Sequence, residues 1–279
     1  MKTTAFKKGQ SICGYTVESV SKLENIDALL IKLIHEKTGA AHIHIASEDK
    51  ENTFGVLFRT VPEDSTGVAH ILEHIVLCGS QKFNVRDPFF SMLKRSLSTF
   101  MNALTSSDWT MYPFSTQNKK DYFNLMDVYL DAVFFPKLDE LSFKQEGHSL
   151  DFVESGDEKQ ELIYKGVVYN EMKGAMSSPY QVLGRSLLAA LYPDTTYRYN
   201  SGGDPSEIPL LKHKDLNNFH AKYYHPSNSW FYTYGNLPLD GTLDFIDTKV
   251  LNRFHRLQVN SKVPAQPRWE SPKEASQAY

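Results

Sequence analysis

The spacing of apolar positions changes several times along the chain, and each change marks an element. Residues 14–21, Gly-Tyr-Thr-Val-Glu-Ser-Val-Ser, alternate as a strand does. Residues 28–34 are apolar apart from Lys32 and end at the turn Lys37-Thr38-Gly39, which favours a strand over a helix. Ala41-His42-Ile43-His44-Ile45 alternates strictly, so its histidines share the sheet face opposite Ile43 and Ile45. Residues 53–60 predict the next strand. A helical period follows: Val68, Ile71, Leu72 and Ile75 recur in a proline-free run, with Asp64 or Ser65 available as the N-cap.

Downstream, Asp87-Pro88 supplies an N-cap and a first-turn proline for a helix reaching about Ser98. Residues 100–112 are rich in β-formers and small polar residues, and predict a strand with a bulge or an exposed portion. Residues 121–135 carry the apolar stripe of an amphipathic helix, stopped by Pro136. A short helix over 139–145, a strand near 149–154 and a polar loop over 155–160 come next. Helices are expected over 166–176, 180–191 and 214–223, with the turn-rich stretch 192–205 between the last two. A strand at 230–234 and an amphipathic helix over 239–257 complete the regular structure. From Gln258 the prolines predict a linker, so residues 1–257 are expected as one domain and 258–279 as the start of a connection within a longer protein.

Composition narrows the class. Hydrophobic residues make up 41% of the chain and aromatic residues 13%, enough for a sizeable core. Lys and Arg number 30 against 33 Asp and Glu, without long runs of either sign, so neither nucleic acid nor an anionic membrane is an expected partner. Two cysteines, Cys13 and Cys78, suit a reducing compartment and not a disulfide scaffold. The N-terminus has no apolar signal segment, and no stretch is long enough for a membrane span. The expected location is cytoplasmic, with a mitochondrial or plastid matrix open to a mature form.

The chemistry sits on the helix after residue 60. His70 and His74 are four apart and Glu73 lies between them, the order His-x-x-Glu-His. On a helix that spacing stacks the two imidazoles one turn apart on one face, within reach of one tetrahedral zinc ion. A carboxylate beside them can move a proton to and from water. Zinc needs a third protein ligand. Cys78 is roughly 12 Å of helix rise from His70, too far for a shared ion. Asp108, Glu146, His148 and Glu171 remain, and spacing does not choose among them.

The segment from Asp64 to Ser80, Asp-Ser-Thr-Gly-Val-Ala-His-Ile-Leu-Glu-His-Ile-Val-Leu-Cys-Gly-Ser, resembles the active-site helix of the pitrilysin family of zinc peptidases. The resemblance is to the presequence protease, falcilysin-like branch. It extends in order through Arg86-Asp-Pro-Phe-Phe90, Ser96-Leu-Ser-Thr-Phe-Met-Asn-Ala-Leu-Thr105, Tyr112-Pro-Phe-Ser-Thr-Gln-Asn118 and Lys165-Gly-Val-Val-Tyr-Asn-Glu-Met-Lys-Gly-Ala175. Ser201-Gly-Gly-Asp-Pro205, His225-Pro-Ser-Asn228 and Tyr234-Gly-Asn236 continue it.

This resemblance implies an α+β domain with a mainly antiparallel sheet and helices packed on one face. It implies one zinc per domain on His70, His74 and Glu171, with Glu73 as general base. It implies that Asn102, Ala103, Leu104 and Thr105 form an edge that pairs with an extended peptide substrate. Other branches place a second acidic residue seven positions before the glutamate ligand; here that position is Tyr164. The C-terminal half of the parent chain is an implied partner, since relatives keep a substrate-holding Arg and Tyr in their last domain. The chain alone is therefore expected to be weakly active or inactive.

Two other functional classes compete with this one. A lyase like S-ribosylhomocysteinase shares His-x-x-Glu-His but needs a cysteine ligand far downstream, and the last cysteine here is Cys78. A non-catalytic peptide-binding or assembly subunit typically loses the motif, which this chain keeps.

Overall fold

The computed structural model describes residues 6–157 and 159–276, so the first five and last three residues of the two expected segments lie outside the description. The chain begins with β1 (Ser11–Ile12), β2 (Tyr15–Leu23), β3 (Ala28–His35), β4 (Ala41–Ala46) and β5 (Asn52–Phe58). Then come α1 (Val68–Val76), α2 (Pro88–Arg95), β6 (Ser98–Met101), β7 (Leu104–Thr105), β8 (Thr110–Thr116), α3 (Lys119–Phe134) and α4 (Glu140–Glu146). A hairpin of β9 (Ser149–Phe152) and β10 (Leu162–Lys165) precedes α5 (Val167–Ala175), α6 (Pro179–Leu191) and α7 (His213–Tyr223). The last elements are β11 (Ser229–Gly235) and α8 (Leu239–Lys249).

Nine strands form one sheet in the order β1-β2-β3-β4-β11-β5-β8-β6, with β7 also paired to β8. Only β4 and β11 run parallel; the other neighbours are antiparallel. This is the mainly antiparallel α+β domain that the resemblance implies. Alternation explains its layers. Ile31, Leu33, Phe54, Val56, Phe58, Tyr112, Phe114 and Phe231 point to one face and are buried there. The amphipathic stripe of α3 covers them, with the Tyr129 ring 5.2 Å from that of Phe114. On the other face Ile43, Leu57, Met111, Trp230, Tyr232 and Tyr234 are half-buried.

His42 and His44 do share a face, and it is the helix-covered one. They are tolerated there because the Thr233 hydroxyl, on the neighbouring strand, lies 2.8 Å from His42 Nε2 and 2.8 Å from His44 Nδ1. Burial holds His42 down to about 3 and His44 to about 4, so both are neutral.

Several local expectations are corrected. The N-cap of α1 is Gly67, in the left-handed region at φ 73° and without a side-chain cap. Asp64 instead accepts from the N–H and hydroxyl of Thr66, closing the turn before the helix. Pro88 opens α2 as expected, but Asp87 makes no capping bond. The region 100–112 is two short strands and β8, with Asn102 and Ala103 outside them.

The helix expected over 239–257 stops at Lys249. Val250 and Leu251 turn into the core, and Phe254 stacks on Phe135 at 5.8 Å, so burial of these side chains overrides the helical period. β10 had no strand assigned to it; its four residues pair with β9. Among the described residues from 258 to 276 the backbone has no helix or strand. It is bonded to the domain through Ser261 to Asn228, Gln266 to Asp194 and Trp269 to Leu191.

Candidate active site

α1 begins beyond the end of β5 and buries Ile71, Leu72, Ile75 and Val76 against the core. That leaves His70, Glu73 and His74 on its remaining face. Glu73 is 7% exposed, and the two imidazole centroids lie 5.0 Å apart. α5 brings Glu171 to them: its Oε2 is 3.7 Å from His70 Nε2 and 4.0 Å from His74 Nε2. One donor atom from each of the three residues lies within 4.8 Å of the other two, the one such grouping among the described residues.

The fit to zinc rests on what the ring nitrogens do. His70 Nδ1–H donates to the Gly202 carbonyl at 3.0 Å, and His74 Nδ1 lies 3.1 Å from Glu146 Oε2. With Nδ1 engaged on both rings, each Nε2 is left as a lone-pair donor facing Glu171. Two ligands about 2.0–2.1 Å from a tetrahedral ion sit roughly 3.3 Å apart, so from 3.7 Å and 4.0 Å the Glu171 oxygen has to close on the two imidazoles by about 0.4 Å and 0.7 Å. The donor set, two imidazoles and one carboxylate, is that of a catalytic zinc centre with a fourth position open.

Two glycine contacts set this geometry. A Cβ at Gly67 would meet Gly202 O at 2.9 Å and Gly203 Cα at 2.9 Å, so the start of α1 touches the loop whose carbonyl holds His70. A side chain at Gly166, the N-cap of α5, would meet Gly147 C at 2.7 Å and His148 Cα at 3.0 Å. The end of α4, carrying Glu146, and the start of α5, which carries Glu171, can approach only because Gly166 lacks a Cβ.

Electrostatics follows the contacts. Burial opposes charge on His74, but the Glu146 hydrogen bond and the charges of Glu73, Glu146 and Glu171 outweigh it and raise its pKa. Burial acts upward on Glu146, and its bonds from His74 and Gln145 bring its pKa below the ordinary value. Near Glu73, the Tyr112 and Tyr224 hydroxyls pair at 2.7 Å. Burial, and then charges including that of Glu73, keep both phenols protonated.

Of the residues left open as third ligand, the structure brings only Glu171 to the imidazoles' Nε2 atoms. Glu146 binds the outer nitrogen of His74. Asp108 accepts from the Tyr197 hydroxyl at 2.9 Å, and His148 Nε2 lies 2.9 Å from the Leu211 carbonyl. Cys78 lies under the helix end, its Sγ 3.5 Å from His74 O and its thiol pushed up to about 12 by burial. At the sheet edge, Leu104 and Thr105 pair with Met111 and Thr110 as β7, while Asn102 Oδ1 accepts from the Ala103 N–H. Gly202 was not singled out for the site; the Ser-Gly-Gly-Asp-Pro turn containing it was the available signal.

Residues 59–179 match the model of the insulinase family, peptidase family M16, and residues 211–278 match that of the M16 inactive domain. The second match begins at no structural seam, since β11 lies between β4 and β5 in the sheet. The chain is 54% identical over 269 residues to the mitochondrial presequence protease of Mus musculus, covering 96% of this chain and 26% of that protein. It is 47% identical over 276 residues to Protein HypA of Clostridium perfringens, covering 98% of this chain and 28% of that protein. It therefore spans about a quarter of the length of these relatives. The crystal structure of pitrilysin has the same fold, with a TM-score of 0.68 at 18% identity, covering 89% of this chain and 25% of that one. The motif on α1 and the fold that presents it thus have one family in common with these matches: the chain belongs to the insulinase, or pitrilysin, family of peptidases, M16.

Proposed function

We propose that this chain is the metal-binding catalytic domain of a zinc metalloendopeptidase that cleaves extended, unfolded peptides such as targeting presequences. The observation that carries the reading is the convergence of His70 Nε2, His74 Nε2 and Glu171 Oε2, with both Nδ1 atoms already engaged. Zinc on these residues would supply a Lewis acid for the scissile carbonyl and lower the pKa of water toward about 7. Glu73 makes no metal contact in this reading. It takes the proton of the attacking water and returns it to the leaving amine, on the same helix face as the imidazoles.

The substrate would lie along the sheet edge at Asn102–Ala103–Leu104–Thr105 as an added strand. Backbone pairing of this kind is indifferent to side-chain identity, which suits many unrelated peptides. Residues 1–257 form the catalytic domain in this reading, and 258–279 lead toward the C-terminal half of a longer protein. The two cysteines are free, in keeping with a reducing compartment, either cytoplasm or the interior of a mitochondrion, the organelle printed in the names of several relatives. Among the described residues no helix is long and apolar enough to cross a membrane.

The test is zinc stoichiometry with hydrolysis of an unstructured peptide by the intact protein. One zinc per chain is expected, lost in His70→Ala, His74→Ala and Glu171→Ala together with activity. Full metal content in the Glu171→Ala protein would remove Glu171 from the site.

A further inference from the structure

We propose that Glu146 is the positioning residue of the metal site: it fixes the tautomer and direction of His74 and thereby sets how tightly zinc is held. The inference rests on the zinc-site reading above and deepens it.

The two histidines are held differently. His70 Nδ1–H donates to a backbone carbonyl, that of Gly202 at 3.0 Å, a neutral acceptor. His74 Nδ1 meets a carboxylate, Glu146 Oε2, at 3.1 Å. That carboxylate is pinned from its other oxygen, since Gln145 Nε2 donates to Oε1 at 2.8 Å, and Glu146 is 8% exposed. A carboxylate fixed in this way favours the Nδ1–H tautomer, which leaves the lone pair on Nε2 and adds electron density to it. Glu146 cannot act as the third ligand in the same geometry, because it sits at the outer nitrogen while Glu171 faces the inner one.

The backbone is built to bring Glu146 to this place. It is the last residue of α4, and Gly147 follows it against α1, where a Cβ would meet Ile71 Cγ2 at 3.3 Å. Gly166, the N-cap of α5, packs against Gly147 in turn. One junction therefore delivers Glu146 to the outer side of His74 and Glu171 to its inner side.

The test is zinc affinity, measured at equilibrium against a chromogenic chelator in the intact protein. Native protein is compared with Glu146→Ala, Glu146→Gln, His74→Ala and Glu171→Ala, alongside melting of each metal-free form. Loss of such an outer partner typically weakens metal affinity by about 10- to 100-fold, and that is expected for Glu146→Ala. Glu146→Gln keeps the shape and an acceptor oxygen but not the charge, so a smaller loss is expected, with metal-free melting unchanged. Should the alanine variant fail to fold, the glutamine variant carries the test.

Native affinity in both Glu146 variants, with zinc lost in His74→Ala and Glu171→Ala, overturns the role of Glu146 and leaves the metal site standing. So does a lowered metal-free melting temperature in both Glu146 variants with affinity unchanged, which is the mark of a purely structural carboxylate. Native affinity in His74→Ala and Glu171→Ala as well overturns the metal-site reading and the present inference with it.

Discussion

Glu73 and the two imidazoles occupy one face of α1, yet their surroundings separate their tasks. Both imidazoles are committed at Nδ1, and Glu73 is a nearly buried carboxylate close to two protonated phenols. Glu73→Gln keeps the shape and removes the proton acceptor. Zinc content is expected to stay near one per chain while peptide hydrolysis in the intact protein falls by about 10²- to 10⁴-fold. Near-native turnover in that variant would take Glu73 out of the chemistry.

The histidines of β4 give a second test at the residue scale. In the unfolded chain an imidazole takes its proton near 6.5; in the folded chain His42 does so at about 3 and His44 at about 4. Between those values the unfolded state binds more protons, so stability is complete above about 6.5 and falls as the pH drops through the window. Each histidine contributes a slope of about 1.4 kcal/mol per pH unit there. Buried His220 acts in the same direction. Denaturant unfolding followed from pH 7 to pH 4 is expected to show this loss, and His42→Gln to flatten it. An equal slope in that variant would mean that His42 is already charged in the fold.

Among the elements, α1 was readable from its apolar period because one face packs on the core and the other carries the motif. β2 and β4 are readable from alternation, and β3 from an apolar run closed by the turn Lys37-Thr38-Gly39. The carboxylate that meets both imidazoles was not: Glu171 lies on a different helix, and what brings it to His74 is a backbone contact between Gly147 and Gly166 that no periodicity encodes. Glu146 drew attention as a titratable residue, but spacing cannot say which imidazole nitrogen it meets. The end of α8 was misjudged because Phe254 is drawn to Phe135 and Phe134, and β10 was missed because four residues carry too little pattern.

The glycine junction can be tested. Gly166→Ala places a methyl group into Gly147 and should push α5 from α4. Overpacking of this kind costs about 1–3 kcal/mol, and here it also displaces Glu171. A lower melting temperature with weaker zinc retention is expected. Unchanged values for both would mean that the junction yields without moving α5.

At the scale of the whole molecule, the site is exposed on one side. Glu171 is 54% exposed, and the sheet face bearing Trp230, Tyr232 and Tyr234 is only half covered. In the proposed reading the metal donors and the base, His70, His74, Glu171 and Glu73, all lie within these 279 residues, so the chain is expected to bind zinc on its own. Hydrolysis asks for more. In the proposed reading an extended peptide is held along the β6–β7 edge with its carbonyl over the site, and bulk water must be kept out while charge develops.

Glu171 stays open to solvent in this chain, and the relatives are about four times as long. The resemblance implies that their further sequence supplies an Arg and a Tyr for holding the substrate. Losing one donor to a developing oxyanion typically costs about 10²–10³ in rate, and lost positioning compounds it. The zinc-loaded 279-residue chain is therefore expected to cleave an unstructured peptide at least about 10²-fold more slowly, in kcat/KM, than a full-length relative. Comparable values for the two would show that one domain positions the peptide by itself, and that the longer chain serves some purpose other than catalysis.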